Sequence, residues 1–174
     1  LFVGKSVQII QTVIRPGPPG GDPTKGALTY LKITPPPFLW NFKPGMYAFI
    51  NMPEYAPLQW HPFTICSGDA DATVNFLIAG VGDWTRELTR RCLKAQDGRG
   101  AYPKVALDGP YMAPTQSALA KQVLIAVGAG VGITPFLSLM STIISGLDTE
   151  EGAKAKKYER LLEVHFYWMT RKAD

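Results

Sequence analysis

Cysteine and histidine are scarce in this chain, which has two of each among 174 residues. Cys66 and Cys92 are too few for a disulfide framework, and their separation matches no zinc-ligand spacing. His61 and His165 stand far apart, with no pattern of carboxylates or cysteines around either. Disulfide stabilisation and a zinc site are therefore both disfavoured, and a reducing compartment is favoured.

Charged residues are also sparse. They make up 18% of the chain against 46% hydrophobic residues, and the net charge is +4. This composition is typical of a folded globular chain. The basic residues are dispersed except for a short cluster over residues 154–160, for which a solvated loop is favoured over an anionic partner. No nucleic-acid motif is present, so we expect no nucleic-acid partner.

Charge is missing altogether from residues 122–147. This length would suffice for a transmembrane helix. Three glycines and Pro135, however, divide the stretch into a β-branched half and a helical half. The division favours a strand, a turn and a helix over a membrane span. Residues 1–3 are too short an apolar run for a signal peptide.

The first two thirds of the chain contain short alternating apolar segments, which are typical of β-strands. Loops rich in proline and glycine separate them. The predicted strands cover residues 1–15, 27–34, 46–52, 61–67, 73–79 and 104–107. Asp108-Gly109-Pro110 is expected to end the last of these strands. Five or six short strands at this spacing predict an antiparallel barrel.

The apolar pattern changes to a helical period over residues 83–94, where Trp84, Leu88 and Cys92 recur at helical spacing. The predicted helix begins directly after Gly82. Its first amide groups lack partners within the helix, so its start is a natural anion site.

The last third of the chain predicts a β-α-β unit. Residues 122–127 indicate a strand buried on both faces of a parallel sheet, residues 133–145 a helix and residues 162–169 a second buried strand. The glycine-rich turn at residues 128–132 would let a pyrophosphate approach the backbone at a helix start. One such unit does not complete a doubly wound domain, so we expect the rest of that domain to lie outside this sequence.

An unusual group of residues, His61-Pro62-Phe63-Thr64, lies in the fourth predicted strand. Side chains alternate along an extended segment, so His61 and Phe63 should point to one side while Thr64 addresses the other. The group suits a flat ligand with a charged tail. A buried strand with a hydrogen-bonded histidine explains it equally well.

Four motifs taken together resemble those of NADPH oxidases and ferric reductases. In chain order they are His61-Pro62-Phe63-Thr64, Gly82-Asp83-Trp84-Thr85, Asp108-Gly109-Pro110-Tyr111 and the glycine-rich segment 128–136. The resemblance covers residues 1–171 and implies a ferredoxin-reductase-like dehydrogenase. Its expected parts are an antiparallel six-stranded FAD-binding barrel over residues 1–119 and the start of an NADPH-binding α/β domain, apparently truncated, over residues 120–174.

The resemblance also implies the residues that hold FAD. His61 would lie near the pyrophosphate, with Pro62 in the same motif, and Phe63 would lie against the flavin. Thr64 would lie near flavin N5 and is the candidate catalytic residue. The FAD phosphates would be received at the helix start by Gly82, Trp84 and Thr85.

NADPH would be carried, on the same resemblance, by Gly128, Gly130, Thr134 and Pro135. Thr134-Pro135 stands where the ordinary dinucleotide fingerprint has its third glycine. No acidic residue closes the second predicted strand, where that fingerprint places the group that holds a ribose hydroxyl. Arg171 could instead meet the 2′-phosphate of NADPH; the alternative is an exposed arginine near a chain end.

The family's chemistry passes a hydride from NADPH to FAD and then single electrons to haems in an upstream membrane domain, to reduce dioxygen or ferric iron. We therefore expect the cytosolic dehydrogenase portion of a transmembrane NADPH oxidase that makes superoxide or hydrogen peroxide. The alternatives are a ferric-chelate reductase, a flavin-binding regulatory module without turnover and an interaction domain without a cofactor. The regulatory alternative is motivated by Ala79, where many relatives carry an arginine that neutralises the FAD phosphates.

Overall fold

The computed structural model describes residues 4–36, 41–147 and 160–170. Within these residues, an antiparallel β structure with one α-helix is followed by a β-α-β unit. The strands are β1 (Lys5–Val7), β2 (Ile9–Arg15), β3 (Leu28–Ile33), β4 (Tyr47–Asn51), β5 (His61–Thr64), β6 (Val74–Ala79), β7 (Val105–Tyr111), β8 (Val123–Ala129) and β9 (Glu163–Met169). The α-helices are α1 (Asp83–Gln96) and α2 (Thr134–Leu147).

The first seven strands form two antiparallel sheets. One sheet has the order β1-β7-β4-β5 and the other the order β2-β3-β6. An isolated bridge between Ile65 and Phe76 connects β5 to β6, so the two sheets are joined at that corner. This arrangement confirms the predicted antiparallel barrel.

The core of the barrel consists of the inward-facing residues of both sheets and one face of α1. Leu31, Ile50, Phe76 and Leu107 are fully buried, and the helix contributes Trp84, Leu88 and Cys92. Burial of a large apolar side chain stabilises a fold by about 1.5–3 kcal/mol. The predicted helical face of α1 is therefore the face that holds the helix against the barrel.

The strand predicted over residues 1–15 is divided in the structure. β1 pairs with β7, whereas β2 pairs with β3, and Gln8 between them belongs to neither strand. The chain therefore passes from one sheet to the other at Gln8, and a register shift between Ile9 and Gln11 follows inside the pairing of β2 with β3. The division gives seven barrel strands among the described residues instead of the six expected.

Asp108-Gly109-Pro110 does not end β7, contrary to prediction. Phe49 pairs with Asp108 and Tyr47 pairs with Tyr111, so Gly109 and Pro110 together stand opposite Ala48. Two residues facing one make a β-bulge, which is where a strand tolerates a proline that cannot donate a ladder hydrogen bond. Gly109 has a φ of +134°, a conformation that favours glycine.

The β-α-β unit is confirmed, because β8 and β9 are parallel and α2 lies between them in sequence. Burial of β8 on both faces was predicted wrongly. Leu124 and Ala126 are buried, whereas Val123, Ile125 and Val127 are about half exposed or more. The reason is that none of the described residues covers that second face.

The uncharged stretch 122–147 contains β8, a short 3₁₀ helix (Gly130–Ile133) and α2. The predicted strand, turn and helix are therefore confirmed. Among the described residues, no helix is long and apolar enough to cross a membrane. A second 3₁₀ helix, Pro114–Ala120, occupies the connector between the barrel and β8.

Candidate functional site

A pocket of about 380 Å³ opens beside β4 and β5 at the N-terminus of α2. Its size is within the range of about 300–1,000 Å³ that small-molecule sites occupy. It is lined by Gly45, Tyr47, Phe49, Pro62, Thr64, Ala113, Pro114, Thr115 and Pro135. Both the barrel and the β-α-β unit therefore contribute walls to one cavity.

The four residues of the His61-Pro62-Phe63-Thr64 motif divide between two faces of β5, as strand alternation requires. Pro62 and Thr64 line the pocket. The rings of His61 and Phe63 instead lie against Trp84 of α1, with centroid distances of 4.6 and 5.9 Å. Phe63 also packs against the barrel core. The motif thus contributes to the pocket and to a second cluster on α1.

This cluster of His61, Phe63 and Trp84 contains two buried polar atoms, His61 Nε2 and Trp84 Nε1, that have no hydrogen-bond partner among the described residues. An unsatisfied buried group typically costs about 1–3 kcal/mol. Burial lowers the pKa of His61, which favours the neutral imidazole. The alternative expectation, a buried histidine whose ring nitrogens are both hydrogen-bonded, is therefore not met at Nε2 among the described residues. An indole N–H in this position fits an acceptor group such as a phosphate oxygen of FAD.

The start of α1 lies next to this cluster in sequence. Its N-cap, Gly82, has no side chain to accept hydrogen bonds from the first helical turn. Thr85 Oγ1 accepts hydrogen bonds from the backbone N–H groups of Val81 and Gly82, both at 3.1 Å, and donates to the Gly82 carbonyl oxygen. A Cβ on Gly82 would have no atom within 4 Å, so the site is open. Open space at a helix N-terminus suits an anion.

The arginine nearest to this helix start is already paired with a carboxylate of the same helix. Arg86 forms an ion pair with Asp83, one turn earlier on α1. Arg86 and the helix dipole are the two candidates for the role of the arginine that is missing at Ala79. Because the Arg86 guanidinium contacts Asp83, the helix amides and dipole are the remaining source of positive potential at this turn.

Two pocket aromatics, Tyr47 and Phe49, were not identified from the sequence. They lie on one face of β4, and Tyr111 of β7 stacks on Tyr47 with a centroid distance of 5.5 Å and meets Phe49 edge-on at the same distance. The hydroxyl of Tyr111 donates a hydrogen bond to Asp108, which raises the pKa of Tyr111. Tyr47 pairs directly with Thr64. Aromatic residues at the alternate positions 47 and 49 of β4 were the signal that could have identified this wall.

The glycine-rich turn lies at the carboxyl end of β8, where nucleotide-binding folds hold their ligands. A Cβ on Gly128 would lie 2.7 Å from Ile133 Cδ1, so close packing requires glycine there. Gly130 has a φ of +51°, and its carbonyl oxygen accepts a hydrogen bond from Trp168 Nε1 of β9. Thr134 Oγ1 donates to the Val131 carbonyl oxygen and caps the turn into α2. The turn is therefore rigidly held.

The structure thus brings together only some of the predicted residues. Thr64 and Pro62 share the pocket with Pro135, the second residue of α2. Gly128 and Gly130 precede α2 in the same turn but do not line the pocket. Arg171 and most of the basic cluster over residues 154–160 lie outside the described residues.

Two family models match the chain. The model described as "FAD-binding domain" matches residues 23–115, and the model described as "Ferric reductase NAD binding domain" matches residues 121–174. Together they cover the barrel and the β-α-β unit.

Curated relatives include oxidases from plants and from an amoeba. "Respiratory burst oxidase homolog protein D" of Solanum tuberosum is 35% identical over 76% of this chain and 18% of its own length. The heavy chain of a superoxide-generating NADPH oxidase from Dictyostelium discoideum is 32% identical over 78% of this chain and 21% of its own length. The chain therefore spans about a fifth of the length of these relatives.

Solved structures of similar fold include ferredoxin-NADP+ reductases. The enzyme from Plasmodium falciparum has a TM-score of 0.64 at 15% identity and covers 98% of this chain and 61% of its own. The enzyme from Neisseria gonorrhoeae, solved with bound FAD and NADP, has a TM-score of 0.58 at 16% identity and covers 98% of this chain and 70% of its own. At such identities the likeness establishes the fold.

Proposed function

This chain belongs to the NADPH oxidase and ferric reductase family of FAD- and NAD(P)-binding oxidoreductases, and from that membership we propose that it performs the flavin dehydrogenase step of a longer NADPH oxidase. FAD, when bound, supplies the chemistry: it accepts a hydride from NADPH and releases the electrons singly. The observation that carries the proposal is the pocket shared by Thr64 of the barrel and Pro135 of the β-α-β unit.

The barrel side of the pocket would hold the flavin ring. Tyr47 and Phe49 of β4 supply an apolar, aromatic wall, and Pro62 and Thr64 line the pocket from the neighbouring strand β5. A wall of aromatic groups with few polar ones suits a planar ring and excludes water from it. The Thr64 hydroxyl is the polar group we assign to flavin N5. Phe63, behind the same strand, would support the ring indirectly by packing against Trp84.

The phosphates of FAD would lie at the start of α1. Trp84 Nε1 and His61 Nε2 are buried and have no partner in the part of the chain that the structure describes, and Gly82 leaves the helix start open. Thr85 would act on the phosphates indirectly, by fixing the backbone of Gly82, to which its hydroxyl is hydrogen-bonded. Neutral imidazole and indole groups at a helix N-terminus can stabilise a pyrophosphate without a full counter-charge.

NADPH would be held by Gly128, Gly130, Thr134 and Pro135, with Arg171 assigned to the 2′-phosphate. The close packing of Gly128 and the positive φ of Gly130 support a turn that admits a phosphate group to the backbone. We divide the chain into an FAD-binding domain over residues 1–119 and the N-terminal part of an NADPH-binding domain over residues 120–174. The limits of the two family matches, at residues 115 and 121, support this division.

The partner of this step would be an upstream haem-bearing transmembrane domain of the same protein, with the present chain on its cytosolic side. Dioxygen would be the final acceptor, giving superoxide or hydrogen peroxide. Support comes from the relatives, which are named as respiratory burst and superoxide-generating oxidases. A ferric-chelate reductase is the second candidate, because the second family match is described as a ferric reductase domain.

The proposal is tested by mixing the FAD-loaded chain with NADPH in an anaerobic stopped-flow instrument and following the oxidised-flavin absorbance. We expect the absorbance to be lost within seconds, and more readily with NADPH than with NADH. A flavin that binds but stays oxidised would contradict the proposal and favour the regulatory module without turnover, which the alanine at position 79 suggests.

A further inference from the structure

The helix α2 meets the barrel through a row of hydroxyl side chains. Ser138 is fully buried at this contact. Its Oγ accepts a hydrogen bond from the backbone N–H of Gly45 at 3.2 Å and donates one to the carbonyl oxygen of Ser67 at 2.7 Å. One side chain of the β-α-β unit thus satisfies two backbone groups that belong to separate loops of the barrel.

The other two hydroxyls of this contact bond groups of only one barrel loop. Ser141 Oγ donates to the exposed carboxylate of Asp71 at 3.3 Å. Thr142 Oγ1 accepts from the backbone N–H of Asp69 at 3.2 Å. Ser141 is partly exposed, so water can replace a lost partner there, whereas Thr142 is buried like Ser138. Ser141 and Thr142 bond groups of one barrel loop, residues 69–71, so Ser138 is the hydroxyl that joins two separate loops.

Ser138 also connects two walls of the pocket. Gly45, which donates to its Oγ, lines the pocket, and so does Pro135, one helical turn earlier on α2. Gly45 is held from a second side, because Thr115 Oγ1 donates a hydrogen bond to its carbonyl oxygen at 3.4 Å. Among the hydrogen bonds that join α2 to the barrel, the bond from Gly45 to Ser138 is therefore the one that links the pocket wall directly to the first turns of α2.

We propose that Ser138 is a positioning residue for hydride transfer, which fixes the approach of the nicotinamide side of the pocket, at Pro135, to the flavin side, at Thr64. This inference rests on the proposed function. Hydride transfer requires the reacting atoms to lie about 3–3.5 Å apart, and a displacement of about 1 Å far from the chemistry can lower a rate by about a hundredfold. Loss of the Ser138 hydroxyl leaves two buried backbone groups unpaired, so the two walls must separate or admit water.

The test compares Ser138→Ala with Ser141→Ala in the 174-residue chain loaded with FAD. Flavin reduction is followed at increasing NADPH concentration, which separates the limiting rate from the apparent Kd for NADPH. For Ser138→Ala we expect a limiting rate lowered by about tenfold or more, with the FAD Kd and the apparent NADPH Kd changed less than twofold. Ser141→Ala should match the wild type in all three values.

A second variant, Ser138→Cys, keeps the side-chain shape but replaces the hydroxyl by a somewhat larger thiol, which is only a weak donor and acceptor. Its limiting rate should fall as in Ser138→Ala. A wild-type rate in Ser138→Cys would show that packing, rather than the two hydrogen bonds, positions α2, and would overturn the proposal. Equal loss of rate and of FAD affinity in Ser138→Ala would also overturn it, since that pattern indicates general disruption.

Hydrogen exchange of the Gly45 amide gives a readout that is independent of turnover. In the wild type this amide should be protected, and in Ser138→Ala it should exchange at least tenfold faster, while Ser141→Ala leaves it unchanged. Equal protection in both variants would overturn the proposed link. Failure of the wild type to be reduced by NADPH would overturn the proposed function itself and this inference with it. A reduced wild type with an equally fast Ser138→Ala variant would overturn the inference alone.

Discussion

Replacing Gly45 by alanine should destabilise the barrel and weaken FAD binding, for two separable reasons. The first is conformational: the φ of Gly45 is +81°, and a residue with a Cβ pays about 1–2 kcal/mol in this left-handed region. The second is steric. The added Cβ would lie 2.2 Å from Thr115 Oγ1 and 3.0 Å from Thr115 Cβ.

Rotation of the Thr115 side chain would relieve the contact with Oγ1 but not the contact with Cβ. The 3₁₀ helix Pro114–Ala120 would then have to shift away from the barrel. Overpacking of this kind costs about 1–3 kcal/mol. The total expected loss in the free energy of unfolding for Gly45→Ala is therefore about 2–5 kcal/mol.

Gly20→Ala provides the matched control. Gly20 has a φ of +84°, and a Cβ there would have no atom within 4 Å. It should lose only the conformational term of about 1–2 kcal/mol and should bind FAD as the wild type does. Urea unfolding of both variants, followed by titration with FAD, measures both terms. If Gly45→Ala and Gly20→Ala lose the same amount of stability and bind FAD with the same affinity, the close approach of Gly45 to Thr115 is refuted.

Three further predictions concern the β5 motif and its neighbour on α1. Thr64→Val should keep the fold but slow flavin reduction by NADPH, because it removes the hydroxyl that we assign to flavin N5; an unchanged rate would show that this hydroxyl has no role. Trp84→Phe removes an indole N–H that has no partner within the described chain, so the free chain should lose only the packing of the larger ring in the core. The FAD Kd should rise by about tenfold or more, as expected for a hydrogen bond to a charged group; an unchanged FAD Kd would contradict this. Because burial lowers the pKa of His61 below its usual 6.5, the unfolded chain takes up this proton first as the pH falls. The free energy of unfolding should therefore decline below about pH 6.5, and His61→Gln should reduce that decline; superimposable pH profiles would refute it.

The fold could be predicted largely from local patterns, since most strands of this barrel are bounded by proline or glycine. The errors arose where a distant partner decides the structure. β7 continues past Asp108 because Ala48 of β4 accommodates a bulge opposite Gly109 and Pro110. The first strand divides at Gln8 because its halves pair with different strands. Neither partner can be identified from the segment itself.

The same limit applies to the candidate site. The motif residues could be identified as a group, and alternation predicted that His61 and Phe63 share a face. It could not tell which face borders the pocket, since this depends on the position of α1. Gly45 and Ser138 were missed because their importance arises from a contact between segments 93 positions apart in sequence.

The most direct test of the account is a titration of the purified chain with FAD, followed by quenching of flavin fluorescence. The test variant is Tyr47→Leu, which changes a tyrosine that lines the pocket. The control variant is Tyr55→Leu, which changes an exposed tyrosine that contacts Arg91 on the barrel surface. We predict saturable quenching by the wild type and by Tyr55→Leu, and a Kd raised about tenfold or more by Tyr47→Leu, since an aromatic contact with the flavin is lost. Two results would contradict the assignment of this pocket to the flavin. One is no saturation up to about millimolar FAD, a concentration that corresponds to only about 4 kcal/mol of binding free energy. The other is equal FAD affinity of the two variants.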